Sequence, residues 1–269
     1  MKRSWYAGPY ALWMLLFTVF PLIFVCYYAF TTKAGDFTTA NLTRIITYYP
    51  VLLDSLRLSV YCTLLCLLIG YPAAWFMAGR EFSRNKSLAV LILLPMWMNF
   101  LLRTYAMMTL IENTGVLNTL FAAVGLPKQT MIGTEGAVLV GMVYNFLPFM
   151  ILPIYTVLKK LDARVIEAAE DLGANPLRVM TRVVIPLSVP GIVSGVTMVF
   201  MPAVTTFAIS RLMSSGTIYL MGDMIEEYFI SMNNRNVGSA MSLVMMVLIL
   251  ISIGLLRKVD PEGQGGGLW

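Results

Sequence analysis

EAAEDLGANPLRVMTRVVIP, residues 167–186, decides how the rest of this chain is read. With Lys159, Lys160, Asp162 and Arg164 just upstream, it concentrates charge in a chain where Asp, Glu, Lys and Arg make up only 12%. The stretch carries its own stop and start signals. Asp162 predicts the cap of a first helix and Gly173 its left-handed stop, while Asn175 predicts the cap of a second helix with Pro176 at its first position. The expected shape is a short helix, a tight knuckle and another helix, set between two long apolar runs.

Those runs place the knuckle. The chain is 58% apolar with a mean hydropathy of +0.77, far from the average of a water-soluble domain. Stretches near the roughly 20 residues needed to cross hydrocarbon occupy 9–31, 56–78, 88–111, 136–158, 191–210 and 237–256. The fold class is therefore all-α, a polytopic membrane protein with six transmembrane helices. Pro21, Pro72, Pro95, Pro148, Pro153 and Pro202 fall inside spans and predict kinks. The first span follows Lys2 and Arg3 but is long for a signal core, and no small-x-small site follows Tyr27 and Tyr28, so it reads as an uncleaved anchor.

The net charge of +5 does not indicate nucleic acid, because the bases are scattered between apolar runs and form no single face. Their distribution sets orientation. Lys2, Arg3, Arg80, Arg84, Lys86, Lys159, Lys160, Arg164, Arg178, Arg182, Arg257 and Lys258 fall on one side, against Lys33, Arg44, Lys128, Arg211 and Arg235 on the other. The positive-inside rule then puts both termini and the knuckle in the cytoplasm of a multi-pass cell-membrane protein. Exposed there between two spans, the knuckle is a docking element.

On the outer side, Asn113, Thr114 and Gly115 lead into VLNTLFAAVG, an expected interfacial helix. A second follows Gly216, where Asp223, Glu226 and Glu227 stand at i, i+3 and i+4 on one face and repel one another unless a cation offsets them. This acidic mouth suits a cationic substrate. Arg103, inside a span, demands a carbonyl or acidic partner and is given a structural role; Arg57, at an outer helix end, can snorkel.

Catalytic chemistry is poorly represented. There is no histidine, and Cys26, Cys62 and Cys66 lie in apolar runs as packing residues, so no metal site is expected. No phosphate-binding G-x-x-x-x-G-K-[ST] loop occurs; the nearest approach, Asn85-Lys86-Ser87, has no glycine before the lysine. The chain is expected not to be an enzyme, with no cofactor of its own.

Glu167, Ala168, Ala169, Gly173, Val183 and Pro186 together resemble the EAA signature of permease subunits in ATP-binding-cassette importers. That pattern ends in Ile-x-Leu-Pro, and here Val183-Val184-Ile185-Pro186 keeps the apolar character and the proline. The resemblance implies a type I importer permease fold, a single transmembrane permease domain over 1–269 with a coupling loop at about 159–189 and a Gly-rich tail at 259–269. It also implies that Glu167, Ala168, Ala169, Gly173 and Pro186 couple to a separate ATPase dimer, which binds ATP and Mg. Three runs, LPMWMNFLLRTYAMMTLIENTGVLNTL (94–120), LPFMILPIY (147–155) and EAAEDLGANPLRV (167–179), are similar to the spermidine/putrescine permeases.

That narrower resemblance implies a second homologous permease subunit, an extracytoplasmic polyamine-binding protein and a lipid surround, with no nucleic acid. Its cargo, a flexible polycation, needs aromatic and acidic walls. Trp97, Tyr105, Tyr144, Asn145 and Phe149 are the candidates, with Glu112, Asp223, Glu226 and Glu227 at the outer mouth. Ferric ion, thiamine and sulfate importers share the layout and are the alternatives, ahead of a secondary transporter.

Overall fold

The computed structural model describes residues 8–79 and 94–258, and it is built of helices. In chain order they are α1 (Gly8–Ala29), α2 (Ala40–Thr47), α3 (Tyr49–Ala78), α4 (Phe100–Ile111), α5 (Val116–Ala123) and α6 (Glu135–Leu158). Then come α7 (Ala163–Asp171), α8 (Pro176–Thr205), α9 (Ala208–Ser214), α10 (Met221–Ile230) and α11 (Arg235–Arg257). Among the described residues, five of these, α1, α3, α6, α8 and α11, are long and apolar enough to cross a membrane.

The third expected span is not one continuous helix. Its residues 88–93 lie outside the described residues, as do Lys2, Arg3, Arg80, Arg84, Lys86 and the 259–269 tail. From Leu94 to Trp97 the chain makes a 3-10 turn, and only at Phe100 does α4 begin. Asn99 is the cause: its backbone is extended (φ −55°, ψ 131°), and its Oδ1 accepts from the Leu101 N–H at 2.9 Å. A helix restart leaves orphan backbone donors that such a cap satisfies.

Two prolines elsewhere follow widened turns, while Pro72, Pro148, Pro153, Pro190 and Pro202 sit inside continuous α-helix. Two π-turns, Leu15–Val19 and Met180–Val184, each end two residues before a proline, Pro21 and Pro186. A proline ring collides with the carbonyl four residues earlier and offers no N–H. A wider turn relieves both problems without ending the helix.

The core is the packing of α3, α6 and α8, with α4 and α9 against α6. Within lipid there is no hydrophobic drive between helices, so close backbone approach matters most. Gly191 and Gly195, four apart on α8, supply it: a Cβ at Gly191 would stand 3.0 Å from the Pro153 carbonyl oxygen, and one at Gly195 2.8 Å from the Met150 sulfur. Met142, Met150 and Ile154 fill the seam and are fully buried. A smaller cluster joins Ala29, Ile45, Val204, Met221 and Met241, tying α11 to the ends of α1 and α2.

Arg57 does more than snorkel. Its guanidinium pairs with Asp54 at 3.3 Å and with Glu135, linking the start of α3 to the start of α6. These side chains are about half exposed, so the link contributes only about 0–1 kcal/mol.

Candidate functional site

Three places on this scaffold carry polar groups that packing alone does not explain. The first is the knuckle. Asp162 Oδ1 accepts from the Arg164 N–H at 3.0 Å and starts α7. Gly173, at φ +80°, ends it: the Gly173 N–H donates to the Glu170 carbonyl at 2.8 Å and the Ala174 N–H to the Ala169 carbonyl at 3.1 Å. Two closing bonds across a left-handed residue make a sharp helix stop. Asn175 Oδ1 then accepts from the Arg178 N–H at 2.8 Å, with Pro176 opening α8.

No residue of α7 is fully buried, yet its faces differ. Ile166 and Ala169 turn toward the bundle, while Glu167, Ala168 and Val165 face out. The two alanines therefore divide the work: Ala169 seats the helix on its own bundle, and Ala168 keeps the outer face low. At the tip, Leu172 is 88% exposed and Leu177 is also exposed. These apolar tips were not among the residues predicted from sequence. The readable signal was a leucine directly before the left-handed glycine in a polar island.

The second place is an open cavity of about 520 Å³ walled by the α4 break, α6 and α8. Met96 and Met98 come from the break, Phe100 and Arg103 from the start of α4, Asn145, Phe146 and Phe149 from α6, and Met198, Pro202 and the capping Thr206 from the end of α8. Its wall is largely sulfur and aromatic rings, with three buried polar residues, Arg103, Asn145 and Thr206. Asn145 Nδ2 donates to the Gly141 carbonyl at 2.9 Å and to Thr104 Oγ1 at 3.2 Å. Thr104 Oγ1 itself donates to the Phe100 carbonyl at 2.9 Å, so its lone pair is what receives the amide. This network fixes the amide orientation and leaves Asn145 Oδ1 buried with no donor. Arg103, 5% exposed, donates from Nη1 to the Pro95 carbonyl at 3.1 Å, and its Nε has no acceptor.

The third place, at the end of the bundle away from the knuckle, is the acid-bearing helix α10. Asp223 is no part of an open rim: it is 2% exposed, accepting from Ser210 Oγ at 2.6 Å and from the Leu220 N–H at 2.9 Å. Glu226 forms an ion pair with Arg211, which supplies the cation the three acids required. The expected three-acid face is thereby reduced. Packing of α10 against α9 and α11 turned its first turn inward.

Burial raises the Asp223 carboxyl above its ordinary value, opposed by the bonds from Ser210 and Leu220 and by the charge of Arg211. The folded chain thus holds this proton more tightly than the unfolded chain. Its stabilising contribution is complete below the ordinary carboxyl pKa and is lost as pH rises through the raised value. Thermal midpoints of the solubilised protein are expected to show a smaller gain on acidification from neutral pH in Asp223→Asn than in the parent. Parallel pH profiles for the two proteins would exclude this role.

Residues 70–262 match the family described as "Binding-protein-dependent transport system inner membrane component". The chain belongs to that family. The spermidine/putrescine transport system permease protein PotB of Haemophilus influenzae is 37% identical over 268 residues, covering 93% of this chain and 94% of that one. PotB of Escherichia coli K12 is 35% identical over 248 residues, covering 88% and 90%. By fold, this inner membrane component superposes on a crystal structure of a bacterial ABC transporter for alginate import with a TM-score of 0.75 at 18% identity, covering 96% of this chain and 97% of that chain.

For this transport component, the structure gathers only some of the proposed pathway residues. Asn145 and Phe149 line the cavity, and so does Arg103, which was expected from sequence to have a structural role. Trp97, between two cavity methionines, points away and is 85% exposed; Tyr105 and Tyr144 are also exposed and outside the cavity wall. Glu112 caps the far end of α4, exposed and remote from Arg103 along the helix. Pro186 is exposed on α8 just past its π-turn. Sequence reasoning missed Met96, Met98, Phe100, Phe146, Met198, Pro202 and Thr206. Of these, the Phe100 position was legible from Asn99, a capping residue directly ahead of an apolar run.

Proposed function

We propose that this chain is a permease subunit of an ATP-binding-cassette importer that moves polyamines of the spermidine/putrescine class across the inner membrane. The carrying observation is its 37% identity, over nearly the whole of both chains, to a permease bearing that name. The cavity supports the reading. A protonated amine has N–H donors and no acceptor, and it meets there an amide oxygen lacking a donor and three phenylalanine rings.

In this reading the knuckle lies on the cytoplasmic side, where Lys159, Lys160, Arg164, Arg178 and Arg182 surround it, and a separate ATPase dimer docks against Ala168, Leu172 and Leu177. A second permease completes the pathway, and a periplasmic protein delivers cargo at the α10 end. The related alginate transporter has been crystallised in complex with a pentasaccharide-bound periplasmic protein, an arrangement consistent with this one. The chain performs no catalysis itself; ATP and Mg belong to the ATPase.

The test is uptake by the reconstituted complex of radiolabelled spermidine, putrescine, ferric ion and thiamine. Accumulation of spermidine or putrescine that requires ATP and the binding protein is the expected result. Import of ferric ion or thiamine, with neither amine entering nor competing, would remove the polyamine assignment and leave the importer standing.

A further inference from the structure

Arg103 is a buried cation with too few acceptors. A guanidinium carries five N–H donors, and the Pro95 carbonyl, at 3.1 Å from Nη1, is the acceptor it has among the described residues. Its Nε is buried and unpartnered although the residue lines the cavity. An unpaired arginine at membrane depth is strongly disfavoured, and among the described residues its counter-anion is missing.

The described acids cannot supply it. Asp54 and Glu135 pair with Arg57 and Glu226 with Arg211; Asp223, which accepts from Ser210 and Leu220 through Oδ2, lies on α10 outside the cavity wall, and Glu112 stands at the opposite end of α4. No cavity-lining residue is acidic. Lipid phosphate is also out of reach. Asn145, which shares the cavity with Arg103, lies near the middle of the 24-residue α6, about 15 Å from one end and about 20 Å from the other at the helical rise. Nor can the cargo serve, because a protonated polyamine has no acceptor to offer.

We propose that the second permease supplies a carboxylate from within its own spans, which crosses the open side of the cavity and pairs with Arg103. This rests on the two-permease reading above. The transport cavity is then bipartite: this chain contributes the aromatic wall, the Asn145 oxygen and the cation, and its neighbour contributes the anion. Arg103 is a positioning residue that holds the two halves in register and braces the Pro95 turn.

The experiment is a double-mutant cycle read as the thermal midpoint of the assembled complex, without nucleotide or cargo. Arg103→Gln is expected to lower it by several degrees. Among neutralisations of each intramembrane acid in the second permease, one should lower it comparably, and that one combined with Arg103→Gln should go no lower than either alone. Exchanging the two charges should restore the midpoint.

Where Arg103→Gln blocks assembly, Arg103→Lys takes its place in the same cycle, with a smaller shift and the same non-additivity. Strict additivity with every acid, a second permease with no intramembrane acid, or a penalty that disappears when anionic lipid is removed would each overturn the proposal. Because no cargo is present, this outcome is independent of the uptake panel. The polyamine assignment can fail while the pairing stands, and the reverse.

Discussion

Gly173→Val is expected to cut both uptake and ligand-stimulated ATP hydrolysis by the assembled complex at least about tenfold while leaving membrane insertion intact. Space is not the obstacle, since nothing lies within 4 Å of a Cβ built at this position. The obstacle is the backbone. At φ +80°, a β-branched side chain costs about 1–3 kcal/mol, and relief requires undoing the Glu170 and Ala169 closing bonds. That swings Leu172 and Leu177 away from where they point now, and a docking surface displaced by about 1 Å loses function steeply. The bundle itself should be indifferent, because α7 buries no residue fully.

Gly173→Asn gives the control. Asparagine tolerates the left-handed region far better than valine does, so most activity should survive. Wild-type uptake and hydrolysis in the valine variant would mean that the knuckle transmits nothing, and the ATPase contact would have to be sought elsewhere on the cytoplasmic surface.

The second large effect is expected at Asn145. Asn145→Leu preserves bulk but deletes the buried oxygen that has no donor. A hydrogen bond to a charged group contributes about 1.5–3 kcal/mol, so spermidine uptake should fall roughly 10- to 100-fold in kcat/KM. Stability should move the other way or stay put. Leaving a buried acceptor unsatisfied costs about 1–3 kcal/mol, and Thr104 keeps its bond to the Phe100 carbonyl when the amide is gone. A loss of transport with an unchanged or raised thermal midpoint separates a pathway residue from a packing residue. If instead the complex is destabilised and each surviving assembly transports normally, Asn145 is structural and leaves the pathway.

The knuckle shows how much a short local sequence can specify. Asp162, Gly173, Asn175 and Pro176 were each readable because capping and left-handed stops depend on a residue and its near neighbours. The structure places all four in those positions. Reading 88–111 as one span failed from Leu94 onward because hydropathy averages over about 20 residues. The single Asn99 that restarts the helix is invisible to such an average although its chemistry is local. The acids of α10 failed for the opposite reason. Their i, i+3, i+4 spacing was read correctly, but spacing along one helix does not say which face a neighbouring helix will cover.

By itself the sequence determined that this chain crosses a membrane through apolar helices, and that one polar elbow between two of them turns sharply at Gly173. Both follow from short-range preferences of side chains for lipid, water and backbone geometry. Only the tertiary structure decided that Asn145, Phe149 and Arg103 share a cavity while Trp97, Tyr105 and Tyr144 do not, and that Asp223 is spent inside. Those outcomes depend on how α4, α6, α8 and α10 pack, as where Gly191 of α8 lets the backbone approach Pro153 of α6 closely.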